Sequence, residues 1–183
     1  MVTIASLWLT ILLSAVIVWI ASAIVWIALP HHKKDFSKIP NEDAARDALS
    51  GIEPGVFMLP YAADQHEFKA PEFLDKLNEG PVGYLTVVPN GPVEMGKKMV
   101  MSFFFYLLVG LVVAYLATQA VGAGAEYMDV FQFTSTAAWA IFGLAIIPDA
   151  VWFGRPWPQV VKHIFDAFLY GLLLGGVFGW MWP

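Results

Sequence analysis

Residues 2–29 read VTIASLWLTILLSAVIVWIASAIVWIAL, an unbroken apolar run without a charged side chain. A helix needs about 20 apolar residues to cross the roughly 30 Å of hydrocarbon in a bilayer. This run is longer, so it would tilt or project from the membrane. A cleaved signal peptide starts with basic residues and has an apolar core of only about 7–15 residues. This run has neither property, so we expect it to be retained as the first span.

Three further apolar stretches, 99–121, 128–153 and 163–182, predict three more spans. The whole chain shows the same bias, since 58% of its 183 residues are hydrophobic and 14% are charged. A soluble domain has about 25% charged residues and could not bury so large an apolar excess in one core. We therefore predict an all-α integral membrane protein, with a four transmembrane helix bundle in a single membrane domain over residues 1–183.

Residues 30–98 form the one long polar segment, which we predict to be a cytoplasmic loop cap containing two short helices. Asn41 is a favourable residue at the start of the first helix, and Pro71 suits the first turn of the second. Residues 84–88 (YLTVV) are strand formers, but glycine and proline flank them on both sides. We expect them to lie as an unpaired extended segment over the helix ends.

The distribution of basic residues predicts the orientation. All ten Lys and Arg residues fall within residues 30–98 and 154–162. Four spans place these two segments on the same side of the membrane, and loops rich in Lys and Arg stay in the cytoplasm. We therefore predict a protein of the bacterial inner (plasma) membrane, with residues 30–98 in the cytoplasm and both termini outside.

Small residues recur at four-residue intervals in two of the spans. Gly171, Gly175 and Gly179 lie on one face of the last span, and Gly110 and Ala114 lie on the second. Such rows let helix backbones approach closely in lipid. We expect them to build the bundle itself. The alternative is that the last helix docks its glycine face on another subunit.

Ionisable residues near the cytoplasmic ends of the spans form a candidate polar cluster. Such groups are costly in a membrane and therefore point to function. In the favoured interpretation, the aspartates pair with nearby cations or with backbone groups freed by Pro148, and fasten the bundle. Alternatively, the carboxylates and histidines relay protons, or bind an ion or a lipid head group. The candidates are Asp149, Asp166, His163, His31, His32 and Arg155, with Lys162 as a further partner for the aspartates.

Metal and cofactor chemistry receives less support from the sequence. A metal site of His31, His32 and His163 with an aspartate matches no ligand spacing, and adjacent histidines are poor paired ligands. A bis-histidine haem would need histidines inside the spans, and cysteine is absent. No nucleotide-binding, zinc-protease or serine-hydrolase motif is present. We predict no catalytic residue, no metal, no cofactor and no nucleic-acid partner.

Two unusual stretches carry a resemblance. Residues 28–44 (ALPHHKKDFSKIPNEDA) and 80–92 (GPVGYLTVVPNGP) resemble a group of small bacterial inner-membrane proteins without an assigned activity. The resemblance runs through most of the chain. It implies a four-helix membrane protein and no particular activity or site.

We therefore expect a non-catalytic multi-pass membrane protein, an accessory or scaffold subunit of a larger inner-membrane assembly such as an electron-transfer complex. Its partners would be membrane lipids and either other membrane subunits or copies of itself. The alternative is a small ion- or proton-conducting or lipid-handling protein that uses the aspartates and histidines at the inner interface.

Overall fold

Four long helices make up most of the structure, a computed structural model that describes residues 1–183. They span Ile4–Ala28, Met95–Ala120, Tyr127–Phe153 and Trp157–Trp180, and each is long and apolar enough to cross a membrane. The prediction of a mainly helical chain with four such helices is confirmed. The fourth helix begins at Trp157, earlier than expected, because Pro156 and Pro158 are compatible with a helix start.

The first long helix changes its winding along its length. It opens with a 3-10 turn, Ile4–Leu7, continues as α1, Trp8–Ala23, and ends in a widened π turn, Ile24–Ala28. In that last turn the Leu29 amide donates to the Ile24 carbonyl at 3.1 Å. Pro30 follows and has no amide hydrogen to continue the helix.

The long helices pack in chain order around a ring, and the fourth closes the ring against the first. The core between them is apolar and close-packed, and its fully buried side chains include Leu7, Val18, Val113, Leu174 and Phe178. The two ends of the bundle differ. One end, here the termini end, holds both termini and the short turn 121–126. The other, the cap end, holds residues 30–98 and 154–156.

The closest helix contact joins the third and fourth long helices. A Cβ atom added to Gly171 would lie 2.8 Å from the Ser135 carbonyl oxygen, and one added to Gly175 would overlap the Ser135 side chain. A Cβ on Gly179 would meet the Tyr127 ring at 2.8 Å. The glycine face of the fourth helix is therefore filled by the third helix, and it is not free to receive another subunit.

Gly110 and Ala114 of the second helix face the interior of the bundle. A Cβ on Gly110 would lie 3.4 Å from the Ile11 side chain of the first helix, and Ala114 is fully buried. These two positions therefore contribute to packing within the ring.

The third long helix is interrupted near the cap end. It consists of α6, Tyr127–Gly143, a 3-10 turn, Leu144–Ile146, and α7, Ile147–Phe153. Pro148 lies in the first turn of α7, where the missing amide hydrogen is tolerated. Gly154 ends the helix with φ +68°, a left-handed conformation that glycine adopts readily.

The cap contains three short helices and one two-stranded sheet. The helices are α2, Glu42–Ala48, α3, Gln65–Phe68, and α4, Pro71–Glu79. The side chain of Asn41, the residue before α2, makes no capping hydrogen bond. The strands are β1, Gly55–Leu59, and β2, Gly83–Val87. The second long helix is α5, Met95–Ala120, and the fourth is α8, Trp157–Trp180.

The expectation of an unpaired extended segment at residues 84–88 is wrong. Strand β2 pairs antiparallel with β1, and Gly55 stands opposite Val87. The flanking glycines and prolines limit the length of the strand but do not prevent pairing. The partner strand precedes α3 and α4 in the sequence, and local turn signals carry no information about a partner so far along the chain.

Candidate functional site

Two adjacent histidines and one aspartate meet where the first long helix ends against the fourth. The Asp166 carboxylate lies on α8, and its side chain is only 4% exposed. His31 Nε2 lies 3.0 Å from Oδ1 of Asp166, and His32 Nε2 lies 2.7 Å from Oδ2. One buried carboxylate is therefore bridged by both imidazole rings.

A second carboxylate supports this group from the opposite side of His32. His32 Nδ1 lies 2.6 Å from Oδ2 of Asp35, and the Lys162 ammonium donates to Oδ1 of Asp35 at 2.5 Å. The hydrogen bonds from Lys162 and then from His32 hold the pKa of the Asp35 carboxyl below its usual range. Asp35 is therefore a carboxylate at neutral pH. We refer to His31, His32, Asp35, Lys162 and Asp166 as the His–Asp cluster.

The local backbone explains why neighbouring histidines reach one carboxylate. Residues Pro30–His32 form a 3-10 turn, in which successive side chains are about 120° apart, since there are three residues per turn. The two imidazole rings are tilted by 40° with centroids 4.1 Å apart. Trp26, from the π turn, stacks on His32 at 3.9 Å and 2°. The two turns and the indole together hold His32 in place.

The charges within the cluster can balance. Both nitrogens of His32 face carboxylate oxygens, so both contacts are hydrogen bonds when the ring is an imidazolium. In that state His32 and Lys162 offset the charges of Asp35 and Asp166, while a neutral His31 donates through Nε2. Buried charges need such pairing. The arrangement can hold a cation, either a proton or a metal ion, at the Asp166 carboxylate.

The cluster also fastens the start of the cap to α8. Lys162 Nζ donates to the His31 carbonyl at 2.6 Å, and Gln159 Nε2 donates to the Asp35 carbonyl at 2.6 Å. Residues 31–35 are therefore held to one turn of the fourth helix through both side chains and backbone.

The other residues expected at this site make no hydrogen bond to the cluster. Asp149 pairs with Arg155 at 3.3 Å, and the two side chains are 40% and 45% exposed. His163 is partly buried, and no hydrogen bond joins it to Asp166. The structure thus brings together His31, His32 and Asp166, with Lys162 nearby, and leaves Asp149 and Arg155 as a separate surface pair.

Asp35 was not among the predicted site residues. It lies three residues after His32 in a short charged stretch, a spacing that suits a local contact. The sequence gives no sign that the Asp35 side chain is buried, whereas its neighbours Lys33 and Lys34 are exposed. Asp35 belongs to the cluster because Lys162 and Gln159 of α8 donate hydrogen bonds to it.

Between the His–Asp cluster and the termini end, the interior of the bundle is mostly apolar, but it also holds buried polar side chains. Ser135 Oγ, Trp139 Nε1 and the Tyr170 hydroxyl are buried there without a hydrogen-bond partner. Asp166 and Phe178 are about 18 Å apart along the helix, at 1.5 Å per residue. The buried hydroxyls of Ser14 and Thr134 donate to carbonyls of their own helices.

The chemistry of this site follows from its donor atoms: two imidazole nitrogens, two carboxylates and an ammonium group, mostly shielded from solvent. Comparison with protein-family models, with curated proteins and with solved structures finds no match for this chain. The geometry shows an interhelical clamp with the donor atoms of a cation site.

Proposed function

We propose that this chain is a non-catalytic multi-pass membrane protein and acts as an accessory or scaffold subunit of a larger inner-membrane assembly, such as an electron-transfer complex. Residues 30–98 face the cytoplasm and both termini lie outside. The four long apolar helices support the membrane location. The confinement of all ten basic residues to the cap end supports the orientation.

The observation that carries the proposal is the exposed apolar surface of the cap. Within residues 33–98 only Pro60 and Phe73 are buried. Phe36, Val56 and Tyr61 are 87%, 76% and 71% exposed. Large exposed apolar surfaces on a polar segment mark interaction sites, and a lone two-stranded sheet is only marginally stable in water. The cap therefore has the surface of a segment that is completed by a partner.

The His–Asp cluster supports the same role in a different way. It holds residues 31–35 on α8, so that the cap emerges from the bundle at a defined place. A surface presented in one position binds with less loss of conformational freedom than a loose loop does. The cluster would act here as an anchor for the interaction surface.

Purification from native membranes in a mild detergent, followed by mass measurement, tests the proposal. We expect a stoichiometric complex with other membrane subunits or with further copies of the chain. Phe36→Asp and Val56→Asp should dissociate it, because each places a charge in the apolar surface. Asn90→Asp is the matched control, since it adds a charge at an exposed polar position of the cap. A monomer without any partner, or a complex that all three variants leave intact, would contradict the proposal.

A further inference from the structure

We propose that His31, His32 and Asp166 form a binding site for one divalent transition-metal ion. Each residue offers one ligand atom, and the three atoms all lie within 4.8 Å of one another. Two of the three residues are buried. Two imidazole nitrogens and a carboxylate oxygen are a common donor set for zinc and for non-haem iron.

The distances allow an ion to enter with small adjustments. Ligand atoms about 2.0–2.2 Å from a tetrahedral metal are about 3.3–3.5 Å from one another. The two short contacts, 3.0 Å from His31 Nε2 and 2.7 Å from His32 Nε2, end on different oxygens of Asp166, Oδ1 and Oδ2. An ion bound by both rings and one carboxylate oxygen therefore requires the three ligand atoms, which now lie within 4.8 Å of one another, to draw together. The two Nε2 atoms must approach each other, which rotation of the rings can provide. The His31 side chain is 31% exposed, and it offers the ion a route from solvent.

Asp35 supplies the outer contact that metal-binding histidines usually have. A ligating histidine donates its other N–H to a carboxylate or carbonyl, which fixes the tautomer and turns the ring toward the ion. Asp35 accepts from Nδ1 of His32 and leaves Nε2 directed at Asp166. Lys162 donates to the other oxygen of Asp35 and makes no hydrogen bond to Asp166. Its ammonium group belongs to the outer contacts and lies outside the proposed metal site.

The donor set also defines the class of ion. Mg²⁺ and Ca²⁺ prefer all-oxygen sites, whereas imidazole ligands favour Zn²⁺, Co²⁺, Fe²⁺, Ni²⁺ or Cu²⁺. Three protein ligands leave at least one position for water or another small ligand. This inference is independent of the scaffold proposal, because the site is complete within one chain and needs no partner.

Titration of the full-length protein in detergent, with any affinity tag removed, tests the site with Co²⁺ and Zn²⁺ as probes. We expect one Co²⁺ per chain with visible ligand-field bands, and displacement by one equivalent of Zn²⁺. His31→Gln and His32→Gln should weaken binding by more than about 100-fold. Asp35→Asn should weaken it by about 10- to 100-fold, the usual range for an outer contact.

The controls separate this site from adventitious binding. His66→Gln removes an exposed histidine of the cap, and His163→Gln removes the histidine of α8 that lies outside the cluster. Both should bind Co²⁺ as the wild type does. If His32→Gln fails to fold, His31→Gln decides, since His31 is the more exposed ring. Absence of saturable binding by the folded wild type, or binding that survives His31→Gln, would overturn the proposal.

Discussion

The third and fourth long helices and the β1–β2 sheet are both pairs of segments in direct contact, but they are stabilised in opposite ways. Between the helices, the glycines of the fourth helix have no side chains, so its backbone lies close to side chains of the third helix. The two helices share almost no polar contacts. In the sheet, the backbones are hydrogen-bonded throughout while most side chains remain exposed. The bundle is therefore complete within one chain, whereas the cap has paired its backbone without burying its apolar side chains.

Asp166 joins the fourth helix to His31 and His32 at the start of the cap, so its replacement should have the largest effect. Asp166→Ala removes the carboxylate that both imidazole rings contact, and each buried polar group left without its partner costs about 1–3 kcal/mol. We expect a large loss of thermal stability together with release of residues 31–35, measured by thermal unfolding and limited proteolysis. Asp149→Ala removes an exposed carboxylate at the same end and should cost no more than about 1 kcal/mol. Equal losses in the two variants would contradict the clamp.

The next effect tests the close packing of the bundle. Gly175→Ala places a Cβ atom on the Ser135 side chain, and overpacking of this kind costs about 1–3 kcal/mol. Gly176→Ala is the matched control on the same helix, because its Cβ would meet only the Tyr127 hydroxyl, at 3.9 Å. Thermal unfolding in detergent should rank the variants in this order. Similar unfolding midpoints for the two variants would show that the third helix can move away from Gly175 without loss of stability.

A smaller and local effect is expected in the cap. Phe73 is 6% exposed and packs against Phe68 with the ring centroids 5.1 Å apart, so Phe73→Ala should loosen α3 and α4. Proteolysis within residues 33–98 should become faster while the unfolding midpoint of the bundle stays the same. A matching fall in that midpoint would show that the cap and the bundle unfold as one unit.

The smallest effect is expected on the exposed side of the sheet. Val56→Thr keeps the branched shape of the side chain and replaces a methyl group that is largely in solvent. We expect a change in stability within about 0.5 kcal/mol, measured by hydrogen exchange of the β1–β2 amides. A larger loss would mean that this strand face is already packed in the isolated protein.

The sequence was a better guide to single helices than to contacts between them. Length and hydropathy were sufficient for the four long helices, because each apolar run carries its own signal. The position of Asp166 within a span makes its charge costly and predicts that it has partners. The sequence does not identify those partners. The expected pairing with Lys162 or His163 reflects their closeness in the chain, whereas His31 and His32 reach Asp166 from the far end of another helix. Adjacent histidines are poor paired ligands by their spacing alone. In the structure, however, both rings of the 3-10 turn face one carboxylate.

The positions of the long helices and the confinement of every Lys and Arg to the cap end follow from the amino-acid sequence alone. Both properties depend on local composition and need no knowledge of neighbours. Three contacts become visible in the folded chain: β1 pairs with β2, the third helix fills the glycine face of α8, and His31 and His32 share the Asp166 carboxylate. These contacts join residues as many as 135 positions apart. Contacts at that separation depend on how the helices close into a ring, and this is a property of the whole packed chain.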